Sequence, residues 1–214
     1  IPIMMNPNAK LYYEHEDKNG EKICECVQIT DLKSFIKYQQ AMYHYHSTLK
    51  ASHPYTSKWY EWPIMKRPLW FYISRFDDNT IGTIACMGNP AIWWLSMITA
   101  IYTLTYTIIT RNKEGAILIV MIAITWFTYA LIGRIMFIYH YFITLPFMML
   151  TIPFAVSKLA EWKPKIDYIM PVLTLIFLGT FIYFYPIYSG KPVSIEYVKK
   201  TEWFDSWNYD GLGD

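Results

Sequence analysis

The chain has 214 residues, of which 54% are hydrophobic, 19% aromatic and 17% charged, with a formal net charge of +2. So apolar a composition excludes an ordinary soluble surface, and so mild and mixed a charge excludes a nucleic-acid-binding face. Charges crowd into residues 8–78 and 189–214 and leave four long stretches between Pro90 and Ile187 nearly free of them, a distribution that calls for a nonaqueous solvent.

In chain order, residues 10–16 and 21–30 alternate in the manner of strands and are joined through Asp17-Lys18-Asn19-Gly20, where Asn-Gly takes the positive φ angles of a tight turn. This predicts a β-hairpin. A helix is expected to begin near Thr30 or Asp31, to run through Phe35, Ile36, Met42, Tyr43 and Leu49, and to end before Pro54. The run WYEWPIMKRPLWF at 59–71 gathers three Trp and two Pro among charges, a mixture suited to the headgroup layer, so it is expected to lie along a membrane surface. A short strand over 80–87 then leads to Gly88-Asn89-Pro90, where the chain turns into the bilayer.

Four spans are expected, at about 91–110, 116–133, 137–156 and 166–187. Each approaches the roughly 20 residues that cross about 30 Å of hydrocarbon. The tail 188–214 is too polar to cross again, and its Trp residues are expected on the outer surface. The divisions are thus a hairpin at 1–30, an amphipathic and interfacial segment at 31–90, a four-helix membrane domain at 91–187 and the tail. Four crossings put both ends on one side. The short loops 111–115 and 157–165 carry Arg111, Lys113, Lys158, Lys163 and Lys165, against Arg134 alone in the other short connection, so both termini are expected outside the cytoplasm of a plasma membrane. The start at Ile1 rather than Met suggests a fragment or a processed chain.

Arg134 falls at the outer end of the second span and His140 near the start of the third, where isolated polar groups are costly unless they face protein, water or ligand. A guanidinium at that depth suits a lipid-linked phosphate, with Tyr139, His140 and Tyr141 beside it. The competing reading is equally open: Arg134 snorkels to headgroups, and Tyr139-His140-Tyr141 is an interfacial belt with its imidazole bonded to backbone. Residues 51–59 concentrate hydroxyls, an imidazole and aromatics that can bond and stack on sugars, or else anchor the interface. No metal or cofactor is expected, since His44 and His46 face apart on a helix and no Cys pattern accompanies them. Cys24, Cys26 and Cys86 say little about redox compartment.

YHSTLKASHPYTSKWYEWPIMKRPLWFY at 45–72, GNPAIWW at 88–94 and RIMFIYHYFITLPFM at 134–148 resemble, in order and spacing, the C-terminal membrane region of bacterial protein O-mannosyltransferases, from about Lys33 to Ile187. The resemblance implies an α-helical polytopic membrane protein, similar to other C-type glycosyltransferases. It would move mannose from a polyprenyl-phosphate carrier to Ser or Thr of secreted proteins, with inversion at the sugar carbon. It further implies a donor phosphate held by Arg134 with Tyr139, His140 and Tyr141, and an outer cavity shaped by His53, Tyr55, Ser57, Trp59 and Arg67. The family's carboxylate base belongs to a loop upstream of the matched region, on the N-terminal transmembrane portion of the same enzyme. No catalytic residue is therefore assigned to Glu61, Asp77 or Asp78, and the segment alone is expected to be inactive. The hairpin falls where eukaryotic relatives insert a β-trefoil domain, and it is far too small to be one. The rival reading is a noncatalytic membrane adaptor that packs against partner spans through Gly88, Gly133 and Gly179.

Overall fold

The computed structural model describes residues 10–16, 22–28, 31–48, 53–76 and 78–208. They fall into two compact units, Ile1–Ala51 with Ile132–Arg134, and Ser52–Leu131 with Ile135–Asp214. In the first unit, β1 (Lys10–Glu16) pairs antiparallel with β2 (Lys22–Gln28), setting Tyr12 opposite Cys26 and Glu14 opposite Cys24. The predicted Asp17–Gly20 turn lies outside the described residues. Helix α1 (Leu32–Thr48) is capped by Asp31, whose carboxylate accepts the Ser34 N–H at 2.7 Å while the Ser34 hydroxyl accepts the Asp31 N–H at 3.1 Å. This reciprocal bonding satisfies two amides that no helical carbonyl can reach.

The second unit joins a sheet to a helical bundle. β3 (Leu69–Arg75), β4 (Thr80–Cys86) and β5 (Val193–Ser194) form an antiparallel sheet in that order, with Thr80 paired to Ser194 and Ile81 to Val193. Central β4 matches the predicted strand. β3 takes over part of the run expected to lie flat on a membrane, and β5 is recruited from the tail.

Helix α2 (Pro90–Thr110) starts at Asn89, whose side chain accepts the Ala91 and Ile92 amides, with Pro90 occupying a position where no N–H is needed. It ends at Arg111 in the left-handed conformation (φ 55°), and Asn112 caps α3 (Lys113–Phe127). Helix α4 spans Leu145–Ala160, α5 Ile169–Ser189 and α6 Ile195–Thr201. Among the described residues, Pro90–Thr110, Lys113–Leu131 and Pro164–Ser189 are long and apolar enough to cross a membrane. The expected third span over 137–156 is not one helix: Ile138–Ile143 forms a 3₁₀ turn and α4 starts later, at Leu145. Pro146 sits in the first turn of α4, where its missing N–H costs nothing and its ring meets no helical carbonyl, which favours a start there, while Pro153 is carried inside the helix. With 16 residues, α4 reaches about 24 Å.

Helices α2 and α4 run parallel and share a line of hydroxyls. Thr99 and Thr151 bond at 2.7 Å, Thr151 also lies within 3.2 Å of the Ser96 carbonyl, and Thr103 donates to the Thr99 carbonyl at 2.7 Å. Between apolar helices such bonds give direction that oily packing lacks.

Above the bundle, residues 57–65 are fastened by indoles. Trp62 donates to the Ser57 hydroxyl (3.0 Å), Trp93 of α2 to the Trp62 carbonyl (3.1 Å), Trp126 of α3 to the Trp59 carbonyl (3.0 Å), and Trp207 of the tail to the Met65 carbonyl (2.6 Å). Trp62 and Met65 are wholly buried. Within the segment expected to lie on a surface, Trp62 and Met65 are thus core while Tyr60, Ile64 and Phe71 stay more than half exposed, and Trp207, expected on the outer surface, is buried with the first two. Only Trp203 and Phe204 of that tail cluster stay half exposed.

Gly88 is required by the same core, because a Cβ there would come within 2.1 Å of the buried Trp93 ring, whereas at Gly133 and Gly179 it would meet nothing within 4 Å. Gly88→Ala should lower stability by about 1–3 kcal/mol through overpacking, while Gly179→Ala should leave it unchanged or higher. Thermal unfolding of the two variants in detergent tests the contrast, and equal melting temperatures would contradict the packing.

Candidate functional site

Trp62 organises the predicted site residues of the second unit. Its indole lies parallel to the His140 ring (5.9 Å, 8°), and it contacts Tyr141 (6.3 Å) and Tyr129 (5.0 Å). His140 stacks in turn on Tyr139 (4.5 Å, 22°), and Tyr139 on Phe137 (5.6 Å, 22°). The result is a column of four rings, buried at Trp62 and 40% exposed at Tyr139. The His140 Nδ1 lies 2.9 Å from the Phe137 carbonyl, so the imidazole holds its own turn through backbone bonding. Tyr141 is buried among Trp62, Trp93 and Trp126, and its hydroxyl has no hydrogen-bond partner among the described residues.

The residues expected to shape an outer cavity meet on the neighbouring loop. The His53 Nδ1 accepts the Tyr55 amide (3.2 Å), and its ring meets Phe137 edge-on (5.1 Å). The Tyr55 hydroxyl donates to the Asn208 carbonyl (2.8 Å) and accepts the Trp70 indole N–H. Ser57 is buried; its amide donates to the Met136 carbonyl (2.9 Å) and its hydroxyl receives Trp62. Arg67 reaches the Pro54 and Thr56 carbonyls at 3.3 and 3.2 Å, closing the 54–56 turn. Trp59 packs edge-on against Trp126 and Phe127. Arg134 is half-buried and groups with the first unit, so it is described apart from these residues.

The loop's own carboxylate is held at both oxygens. Glu61 accepts the Lys58 amide at 2.8 Å and the Lys66 ammonium at 2.7 Å. Burial pushes its pKa up, but the Lys58 amide, Lys66 and the Arg67 charge outweigh that and hold it below the ordinary 4.5. A carboxylate so held is a poor proton acceptor. A separate groove of about 410 Å³ opens between the sheet and the helices, lined by Phe71, Ile84, Cys86, Phe142, Phe181 and Tyr188 among others. Burial pushes the Cys86 thiol up to about 11, which leaves it unreactive near neutrality.

Sequence reasoning singled out the neighbours of Trp62, Trp126, Phe137 and Met136 rather than these residues themselves. Trp62 was marked by the density of Trp in 59–70, which reads equally well as an interface anchor, and Met136 and Phe137 only by lying in the motif at 134–148.

The family model described as the C-terminal four TMM region of protein-O-mannosyltransferase matches residues 31–207. A polyprenol-phosphate-mannose–protein mannosyltransferase of Mycolicibacterium smegmatis is 28% identical over 197 residues, which cover 82% of this chain and 38% of that protein. Dolichyl-phosphate-mannose–protein mannosyltransferase 1 of Saccharomyces cerevisiae is 24% identical over 205 residues, covering 84% of this chain and 24% of that protein. The solved S. cerevisiae protein O-mannosyltransferase Pmt1–Pmt2 complex, bound to the sugar donor, shares the fold with a TM-score of 0.72 at 18% identity. That match covers 91% of this chain and 29% of that one.

Ser57→Ala should leave the Trp62 indole N–H buried without an acceptor and cost about 1–3 kcal/mol, measured as a lower unfolding midpoint. An unchanged midpoint would mean that the Ser57–Trp62 bond contributes nothing. The depressed Glu61 pKa stabilises the fold above the unfolded value near 4.5, and this contribution is lost as pH falls through the lower folded value. Melting temperatures of wild type and Glu61→Gln should therefore differ at pH 7 and converge under acid.

Proposed function

The chain belongs to the family of the C-terminal four TMM region of protein-O-mannosyltransferase, and from that premise we propose that its parent enzyme moves mannose from a polyprenyl-phosphate carrier to Ser or Thr hydroxyls of secreted proteins. The acceptor oxygen would attack the anomeric carbon, the bond from that carbon to the phosphate oxygen would break with inversion, and polyprenyl phosphate would leave. The proton would pass to a carboxylate on the N-terminal transmembrane portion, since Glu61 is already committed to Lys58 and Lys66. The observation that carries this reading is the family match across 31–207, supported by relatives whose names state a polyprenol- or dolichyl-phosphate-mannose donor and a protein acceptor.

On this reading the chain crosses the plasma membrane four times with both termini extracytoplasmic, in the manner of a C-type glycosyltransferase. The 3₁₀ turn at 138–143 and α4 would together make the third crossing: about 2 Å per residue from the former supplements the length α4 lacks. The loop bias of basic residues supports the orientation.

Arg134 would hold the donor phosphate, because a half-buried guanidinium in the connection before the third crossing offers several directed donors. Tyr139, the most exposed ring of the column, and His140 beneath it would bound the donor side, with Tyr141 holding them from within the core. His53, Tyr55, Trp59 and Arg67 would shape the acceptor side, and Ser57 would fix that loop through Trp62.

The deciding assay is transfer of mannose from polyprenyl-phosphate mannose to a Ser/Thr peptide by the full-length parent. No transfer from lipid-linked donors, or use of a nucleotide sugar alone, would refute the proposal. Arg134→Ala should raise the donor KM roughly 10- to 100-fold, the worth of one charge-assisted bond, with acceptor KM unchanged. An unaltered donor KM would remove Arg134 from the site.

A further inference from the structure

At the end of the bundle remote from the sheet, the α2–α3 and α4–α5 connections come together. Phe154 of α4 packs edge-on against Tyr106 of α2 (6.0 Å), and a Cβ added at Gly115 of α3 would lie 3.1 Å from the same ring. These connections carry Arg111, Lys113, Lys158, Lys163 and Lys165 against Glu114, Glu161 and Asp167. Lys158 is bound to Glu161 at 2.7 Å. Arg111, Lys113, Lys163 and Lys165 are exposed, and among the described residues none of them enters an ion pair.

Between the basic groups stand two rings with almost no cover. Trp162 is 87% exposed, the most of any described Trp, and Tyr168 is 77% exposed. At the other end of the bundle Trp62, Trp93 and Trp207 are buried and Trp62, Trp70, Trp93, Trp126 and Trp207 spend their N–H groups on internal acceptors, so Trp162 is the outlier among the described indoles. An amphipathic ring with a polar tip, beside long cationic side chains at the mouth of apolar helices, matches the chemistry of a headgroup layer. The excess positive charge selects among headgroups.

We propose that this end of the bundle is a binding surface for anionic phospholipids, with Trp162 and Tyr168 set among the headgroups and Arg111, Lys113, Lys163 and Lys165 on their phosphates. In the orientation proposed above this is the cytoplasmic leaflet, but the surface does not depend on the transfer reaction.

The test uses the full-length protein in neutral detergent micelles doped with phosphatidylglycerol or with phosphatidylcholine at equal mole fraction, read by thermal unfolding and by lipid retention in native mass spectrometry. Phosphatidylglycerol should raise the melting temperature by several degrees more than phosphatidylcholine. In 1 M salt, where screening acts beyond about 3 Å, that preference should shrink. The quadruple variant R111Q/K113Q/K163Q/K165Q should lose at least half of it while melting normally in phosphatidylcholine; should it not fold, the double variant K163Q/K165Q carries the same test with a smaller loss. Equal stabilisation of wild type by the two lipids, a variant with undiminished preference, or inorganic phosphate reproducing the effect would each overturn the proposal.

Discussion

The second unit depends on one requirement: a buried indole N–H must find an acceptor, and a buried turn must find donors for its carbonyls. In residues 57–65 the two needs cancel. Trp93, Trp126 and Trp207 come from α2, α3 and the C-terminal tail and donate to the carbonyls of Trp62, Trp59 and Met65, while Trp62 donates to Ser57. A turn without regular ladder bonds is thereby tied to three distant parts of the chain. Met65 holds a left-handed conformation (φ 54°) although fully buried, a strain of about 1–2 kcal/mol that the surrounding core outweighs.

From that junction the rest follows in steps. Trp93 is placed by the start of α2, and Gly88 leaves it room. Trp62 then becomes the floor on which His140 and Tyr139 stack, so the ring column inherits its position from the indole bonds. Further along, the Thr99–Thr151 bond ties α4 to α2. Tyr139, His140 and Tyr141 and the 53–67 loop thus share one packed aromatic core within the second unit, which suits positioning chemistry. Glu61, tied to the Lys58 amide and the Lys66 ammonium, serves this core as a structural anchor.

The two ends of the helical bundle use aromatic residues in opposite ways. At the sheet end, indoles are consumed by internal hydrogen bonds, and the surface is left to Arg67, Lys66 and half-exposed rings such as Tyr139. At the other end, Trp162 and Tyr168 remain outside, flanked by cations.

The sequence by itself determined the membrane character, the hairpin strands, the starts of α1 and α2 and the strand β4, because hydrophobic runs, alternation and capping residues such as Asp31 and Asn89 act over a few residues. It also determined the family, through the order of motifs from Tyr45 to Met148. It could not assign the WYEWPIMKRPLWF run, since Trp and Pro among charges have the same local pattern whether they meet headgroups or a folded cap. Only the tertiary structure supplied that run's internal partners: the indoles of Trp93, Trp126 and Trp207, up to 142 residues away in sequence. The same holds for β5, which is two residues long and exists only because β4 offers it an edge, and for Ser57 and Tyr141, whose burial arises from contacts that no local periodicity encodes.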